Sequence, residues 1–138
     1  MKSSVTLDRG MTFSGKAGDF SVKMDASAAV GGDDSGFRPM QLLLVSLGGC
    51  TGMDVLSILR KKCQDVTGFE VQLDAQQAEE HPRVFTHINI SYTIRGRGIR
   101  SGAVERAIEL SETKYCPAQA MLAKLATIGH TYEIIEEE

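Results

Sequence analysis

The chain has 138 residues, a formal net charge of −3 and 24% charged side chains, which is enough for one domain with a core of its own. That charge is too mild to argue for a nucleic-acid partner. The absence of tryptophan, with only 6% aromatics, leaves no stacking platform for bases or sugars. Three cysteines spaced 13 and 53 residues apart form neither a secretory disulfide framework nor the close pairs most zinc sites use. The N-terminal stretch Met1–Leu7 turns polar at Asp8-Arg9 without an apolar signal region, and the apolar run from Met40 to Leu47 is far short of a membrane span. The expectation is a cytoplasmic protein with no membrane or nucleic-acid partner, folded as a single domain over residues 1–138.

The first thirty residues read as short strands and turns. Val5 and Leu7 alternate before Arg9-Gly10, Met11 and Phe13 before Gly15-Lys16, and Phe20, Val22 and Met24 before Asp25. A glycine-rich loop from Val30 to Gly36 leads to Phe37-Arg38-Pro39, and Pro39 suits the first turn of a helix. From Met40 to about Lys62 the chain is helical in character. It is apolar nearly all round to Leu47, then amphipathic, and it ends in Arg60-Lys61-Lys62, where cations favour a helix C-terminus. Gly48-Gly49 is a place for that helix to bend or break. So apolar a helix needs covering on several sides, which points to a dimer.

Two long strands follow. Phe69, Val71, Leu73 and Ala75 alternate with polar residues, Val84, Thr86, Ile88, Ile90, Tyr92 and Ile94 alternate with Phe85, His87, Asn89, Ser91 and Thr93, and Glu79–Arg83 connects the two as an antiparallel pair. Ser101 is placed to cap a helix carrying Val104, Ala107, Ile108 and Leu110. A shorter helix is expected from Cys116 to about Thr127, with Pro117 in its first turn, Ala120, Met121, Leu122 and Leu125 inward, and Gly129 breaking it. A strand from Thr131 to Ile135 and an acidic tail close the chain. The order gives an α+β protein.

Cys50 follows the buried-type helical run in Gly48-Gly49-Cys50-Thr51-Gly52, and Cys116 opens the last helix in Tyr115-Cys116-Pro117. A reactive thiol needs thiolate character, which a helix N-terminus or a neighbouring cation supplies. Cys116 fits the helix start. Cys50 does so only if Gly48-Gly49 begins a fresh helix, and Arg38 or Arg9 could bring a guanidinium to it. Cys63, 13 residues on, turns away from the face of Cys50 and reads as an incidental thiol. Asp54 lies four residues beyond Cys50 and could share its face, as a cap, a cation partner or a hydrogen-bonded structural residue. His81, His87 and His130 read as a turn residue, a polar strand residue and the opening of the last strand. No metal or cofactor is expected.

Three segments together carry a resemblance: Pro39-Met40-Gln41-Leu42-Leu43 leading into Gly48-Gly49-Cys50-Thr51-Gly52-Met53-Asp54-Val55, then Glu80-His81-Pro82-Arg83-Val84-Phe85-Thr86, then Lys114-Tyr115-Cys116-Pro117. Through them the whole chain resembles the OsmC/Ohr family of osmotically induced and organic hydroperoxide resistance proteins, in its OsmC-like branch. The resemblance implies antiparallel sheets wrapped around long central helices in an intertwined homodimer. It also implies a cysteine pair at the dimer interface, Cys50 peroxidatic and Cys116 resolving, that reduces an organic hydroperoxide and is recycled by an external dithiol reductant of the lipoyl type. The family carries an activating arginine, for which Arg38 is chosen over Arg9, and a glutamate that orients it. That glutamate position falls here on Met40, and Gln41 offers only an amide. The implied activity is a thiol-dependent peroxidase. Its rivals are a small-ligand-binding dimer and a redox-sensing dimer of the same fold. Retention of both cysteines favours redox work, and loss of the glutamate favours binding.

Overall fold

The structure is a computed structural model describing residues 1–138. The chain divides into two compact units, Met1–Leu43 and Leu44–Glu138. In the first, strands β1 (Ser4–Arg9), β2 (Thr12–Ala17) and β3 (Phe20–Met24) form an antiparallel meander in the order β1-β2-β3. The connecting turns place Gly10 and Gly18 at φ +53° and +60°, a region that favours residues without a Cβ. The buried Asp25 organises the loop that follows. Its carboxylate accepts from the backbone N–H groups of Ala26 (2.7 Å), Asp33 (3.1 Å) and Ser35 (3.2 Å), and from the Ser35 hydroxyl (2.7 Å). Val5, Met11, Phe13, Met24 and Pro39 line an apolar cavity of about 440 Å³ in this unit.

Helix α1 (Pro39–Lys61) starts with Pro39 at its first position, and the Arg38 backbone N–H donates to the Gln41 side chain (3.0 Å). It runs unbroken through Gly48-Gly49, so the expected break is absent. The glycines serve packing instead. A Cβ at Gly48 would stand 2.6 Å from Leu73 Cδ1, and one at Gly52 would stand 3.2 Å from Val71 Cγ2. Their small size lets the helix lie close against a strand. The helix ends in a Schellman turn, with Gln64 N–H on Leu59 O (3.0 Å), Cys63 N–H on Arg60 O (2.9 Å), and Cys63 at φ +54°.

Strands β4 (Asp65–Gln77) and β5 (Phe85–Arg97) pair antiparallel as expected; β4 extends beyond its alternating stretch at both ends, and β5 begins one residue after Val84 and runs on past Ile94. One face of β5, formed by Ile88, Ile90, Tyr92 and Ile94, is almost wholly buried with Leu47, Val55 and Leu59 of α1 in the core. Helix α2 (Ser101–Leu110) buries Ala103, Val104, Ala107 and Ile108. Its N-cap is Arg100 rather than Ser101, and no side chain caps it. One wide π turn, Ser111–Tyr115, leads to Cys116 and to helix α3 (Pro117–Leu122). That helix stops short of Thr127, and Ala120, Met121 and Leu125, expected inward, are exposed. Its fully buried residue is Gln119. Strand β6 (Thr127–Glu136) contains Gly129 rather than being preceded by it, and lies parallel to β5. The result is an α+β fold with antiparallel pairings, one long helix and a parallel edge strand.

α1 is also long and apolar enough to cross a membrane by length and composition, although its run to Leu47 alone is too short for that. Only 33% of its most apolar window is buried within the chain. Leu43 and Val45 stand exposed in the run where the sequence suggested burial nearly all round, and Met53 is exposed on the amphipathic half.

Candidate functional site

The second unit brings Cys50 and Cys116 together. Cys50 sits midway along α1 and is half-buried; Cys116 is buried at the N-cap of α3. Both thiols are free, and they lie close enough for Cys50 to act on the ionisation of Cys116. Because α1 is continuous, Cys50 lies at no helix start. Cys116 does: its Sγ accepts the Gln119 backbone N–H at 3.4 Å. That contact favours the thiolate, yet burial outweighs it. With the neighbouring Cys50 acting in the same direction, the Cys116 thiol is pushed up to about 11. The helix-start argument therefore gave the position of Cys116 correctly and its ionisation wrongly.

Behind the pair lies a polar network. Thr51, next to Cys50, is fully buried, and its Oγ1 meets Tyr92 OH (2.9 Å), Ser111 Oγ (3.0 Å) and the donating Gln119 Nε2 (2.8 Å). Ser111 donates to Asp54 Oδ2 (3.1 Å), so Asp54 takes the structural, hydrogen-bonded option among its three readings. Tyr92 OH contacts His130 Nδ1 (3.2 Å), and the two rings stack at 6.0 Å. His130 Nε2 stands 3.4 Å from Glu112 Oε2. Burial pushes Tyr92 up to about 12; it also lowers the His130 pKa, against the opposing pull of Glu112. Gln119 Oε1 is buried and accepts no hydrogen bond.

Sequence reasoning missed Thr51, Tyr92, Ser111 and Gln119, and treated His130 as a strand opener. The available signal was polarity out of place, Thr51 on an apolar helix and Tyr92 in a row of isoleucines; Gln119 gave no such signal, since the apolar pattern turned other residues of its helix inward.

Arg38 belongs to the first unit. Its guanidinium pairs with Asp34 and donates to Gly36 O (3.2 Å). A carboxylate partner thus exists for Arg38, though Asp34 supplies it and Met40 occupies the position expected to do so. Arg9 ends β1 and is exposed. Cys63 is exposed, and His87 is exposed with its Nδ1 3.2 Å from Thr86 Oγ1.

The family model described as OsmC-like protein matches residues 32–131, across the junction of the two units. Protein YhfA of Escherichia coli strain K12 is 40% identical over 136 residues, covering 98% of both chains. Among solved structures, a hypothetical protein from Aquifex aeolicus VF5 is 32% identical with a TM-score of 0.88, covering 99% of this chain and 97% of its own. An organic hydroperoxide resistance protein from Elizabethkingia anophelis shares the fold at 14% identity and a TM-score of 0.72, over 95% of this chain and 93% of its own. With this coverage, and with the two cysteines of the Gly-Gly-Cys and Tyr-Cys-Pro segments meeting in its interior, the chain belongs to the OsmC-like protein family.

Proposed function

We propose that the protein is a thiol-dependent peroxidase that reduces organic hydroperoxides through Cys50 and Cys116. The observation that carries this reading is the meeting of two free thiols of unequal exposure, one half-buried and one buried. The accessible Cys50 is the peroxidatic residue. Its thiolate attacks the terminal oxygen of R–O–OH, the O–O bond breaks, and the alkoxide takes a proton and leaves as ROH, so that sulfur is oxidised to Cys50–SOH. Cys116 resolves it. Its sulfur displaces hydroxide from the sulfenic acid, its thiol proton leaves with that hydroxide as water, and a Cys50–Cys116 disulfide remains. An external dithiol of the lipoyl type then reduces the disulfide. The high thiol pKa of Cys116 suits a partner held in reserve until the sulfenic acid forms.

Arg38 is the proposed activating cation. Asp34 supports the choice, since it gives Arg38 the oriented carboxylate pair that Met40 cannot. We further propose one OsmC-like domain over 1–138, because the family match crosses both units, and a cytoplasmic homodimer. A second copy, rather than lipid, would cover the exposed Leu43, Val45 and Met53 of α1 together with Met121 and Leu125. A non-enzymatic or redox-sensing dimer is the second reading, favoured by the apolar cavity of the first unit.

The test is mass spectrometry after one equivalent of cumene hydroperoxide, with hydrogen peroxide in parallel. The expected outcome is rapid loss of two hydrogens mapped to a Cys50–Cys116 crosslink, faster with the organic peroxide and reversed by a dithiol. Oxidation no faster at Cys50 than at Cys63 overturns the peroxidase and moves the weight to ligand binding. In Cys116→Ser the same treatment should stop with one added oxygen on Cys50.

A further inference from the structure

Cys116 opens an element with little hold of its own. α3 spans six residues, too few for a helix to be stable by itself in water. Ala120, Met121 and Leu125 are exposed on it or just beyond it, and Gln119 is its fully buried residue. Cys116 is tied from both sides along the chain. Before it, the Cys116 N–H reaches Ser111 O (2.9 Å). After it, Gln119 makes two bonds: its backbone N–H donates to Cys116 Sγ (3.4 Å), and its Nε2 donates to Thr51 Oγ1 (2.8 Å). Thr51 is the neighbour of Cys50 on α1. One side chain thus joins the residue beside the first thiol to the helix that carries the second.

The amide destabilises as well as binds. Its Oε1 is buried without a partner, and a buried acceptor left unpaired loses at least as much as a typical hydrogen bond gains. A leucine would fill similar space without that loss. Thr51 Oγ1 would still meet Tyr92 OH (2.9 Å) and Ser111 Oγ (3.0 Å). Gln119 therefore contributes direction more than stability.

We propose that Gln119 is a positioning residue for disulfide closure, clamping Cys116 to the helix of Cys50 so that the second sulfur is held within reach of the first. In that step the Cys116 sulfur supplies the electron pair of the new S–S bond. The S–O bond of Cys50–SOH breaks, and the departing hydroxide leaves as water with the Cys116 proton. The Gln119 N–H favours negative charge as it develops on the attacking sulfur. Rates of such steps depend steeply on orientation. The clamp's place in a catalytic cycle rests on the peroxidase reading; the clamp itself does not.

The experiment uses the full chain in a Cys63→Ser background, so that only the paired thiols remain. One equivalent of cumene hydroperoxide is added, and dimedone traps sulfenic acid for mass spectrometry. Gln119→Leu should consume peroxide at the parent rate yet close the disulfide about tenfold more slowly, with dimedone-tagged Cys50 accumulating. Thr51→Val, which removes the acceptor, should show the same split, and Thr51→Ser, which keeps it, should restore closure. If Gln119→Leu does not fold, the unbranched Gln119→Met replaces it. Closure at the parent rate, or both steps slowed alike, overturns the clamp. A urea midpoint well below the parent's also overturns it, because the amide would then serve stability. A second arm needs no peroxide. Dithiodipyridine exchanges with the Cys50 thiol and releases one pyridinethione; attack of Cys116 on the Cys50 sulfur then forms the disulfide and releases a second. That second release should slow in Gln119→Leu as closure does. If hydroperoxide is left intact while this slowing persists, the peroxidase fails and the clamp stands. If hydroperoxide is reduced and the second release is not slowed, the clamp fails and the peroxidase stands.

Discussion

Asp25 in the first unit and Thr51 in the second are both buried polar hubs, and they differ in the kind of partner they gather. Four donors converge on Asp25, three of them backbone N–H groups that can point only one way. Such a hub has a single arrangement and serves to fix a loop. Thr51 meets two hydroxyls, each able to point either way, and one amide donor, Gln119 Nε2. Both hubs are satisfied, the first by a fixed backbone cradle and the second by side chains of a network drawn from five separate elements.

Mutations at the two hubs test this contrast. The largest loss should come from Asp25→Ala, which strands three loop N–H groups and gives the lowest urea midpoint of the series. The Ser35 hydroxyl, followed by the backbone N–H groups, holds the Asp25 carboxyl well below the usual range against the effect of burial. Its contribution is therefore full above the ordinary carboxyl pKa of about 4 and fades as pH falls below that value, so the variant should show a flatter acid limb in a stability-versus-pH series. Thr51→Val should cost about 3 kcal/mol, because it leaves several buried polar groups without a partner, while Thr51→Ser keeps most of that. Calorimetry at pH 7 distinguishes the two. Ser35→Ala should have the smallest effect, about 1 kcal/mol for one lost hydrogen bond, because Asp25 keeps its three backbone donors. A loss as large as that of Asp25→Ala would mean the hub depends on one side chain and is not over-determined.

The elements were legible where a periodic pattern ran for several residues, as in the meander, α1, β4, β5 and α2. Errors arose where tertiary contact overrode local preference. Gly48-Gly49 reads as a break in isolation, but Leu73 packs against Gly48 and the helix continues. α3 stops early, and its inward residue is Gln119, chosen by its bond to Thr51 rather than by hydropathy. The cysteine pair was legible because each cysteine stands in a distinctive local segment. The polar network was not. Its members come from α1, β5, the π turn, α3 and β6, and no spacing along the chain links them.

The π turn constrains the length of its segment independently of its composition. Ser111, which belongs to the polar network, and Cys116, which belongs to the thiol pair, are five residues apart and both buried, and Cys116 N–H reaches back to Ser111 O at 2.9 Å. On a regular α-helix a five-residue step would leave them about 140° apart. The extra residue held in the wide turn brings them back toward one side. Thr113, Lys114 and Tyr115 are exposed and free to change in kind, but the loss of a single codon among them would swing the second thiol away from the first. In this stretch the reading frame of the fold is set by counting residues, and substitutions that keep the count should be tolerated far better than any deletion.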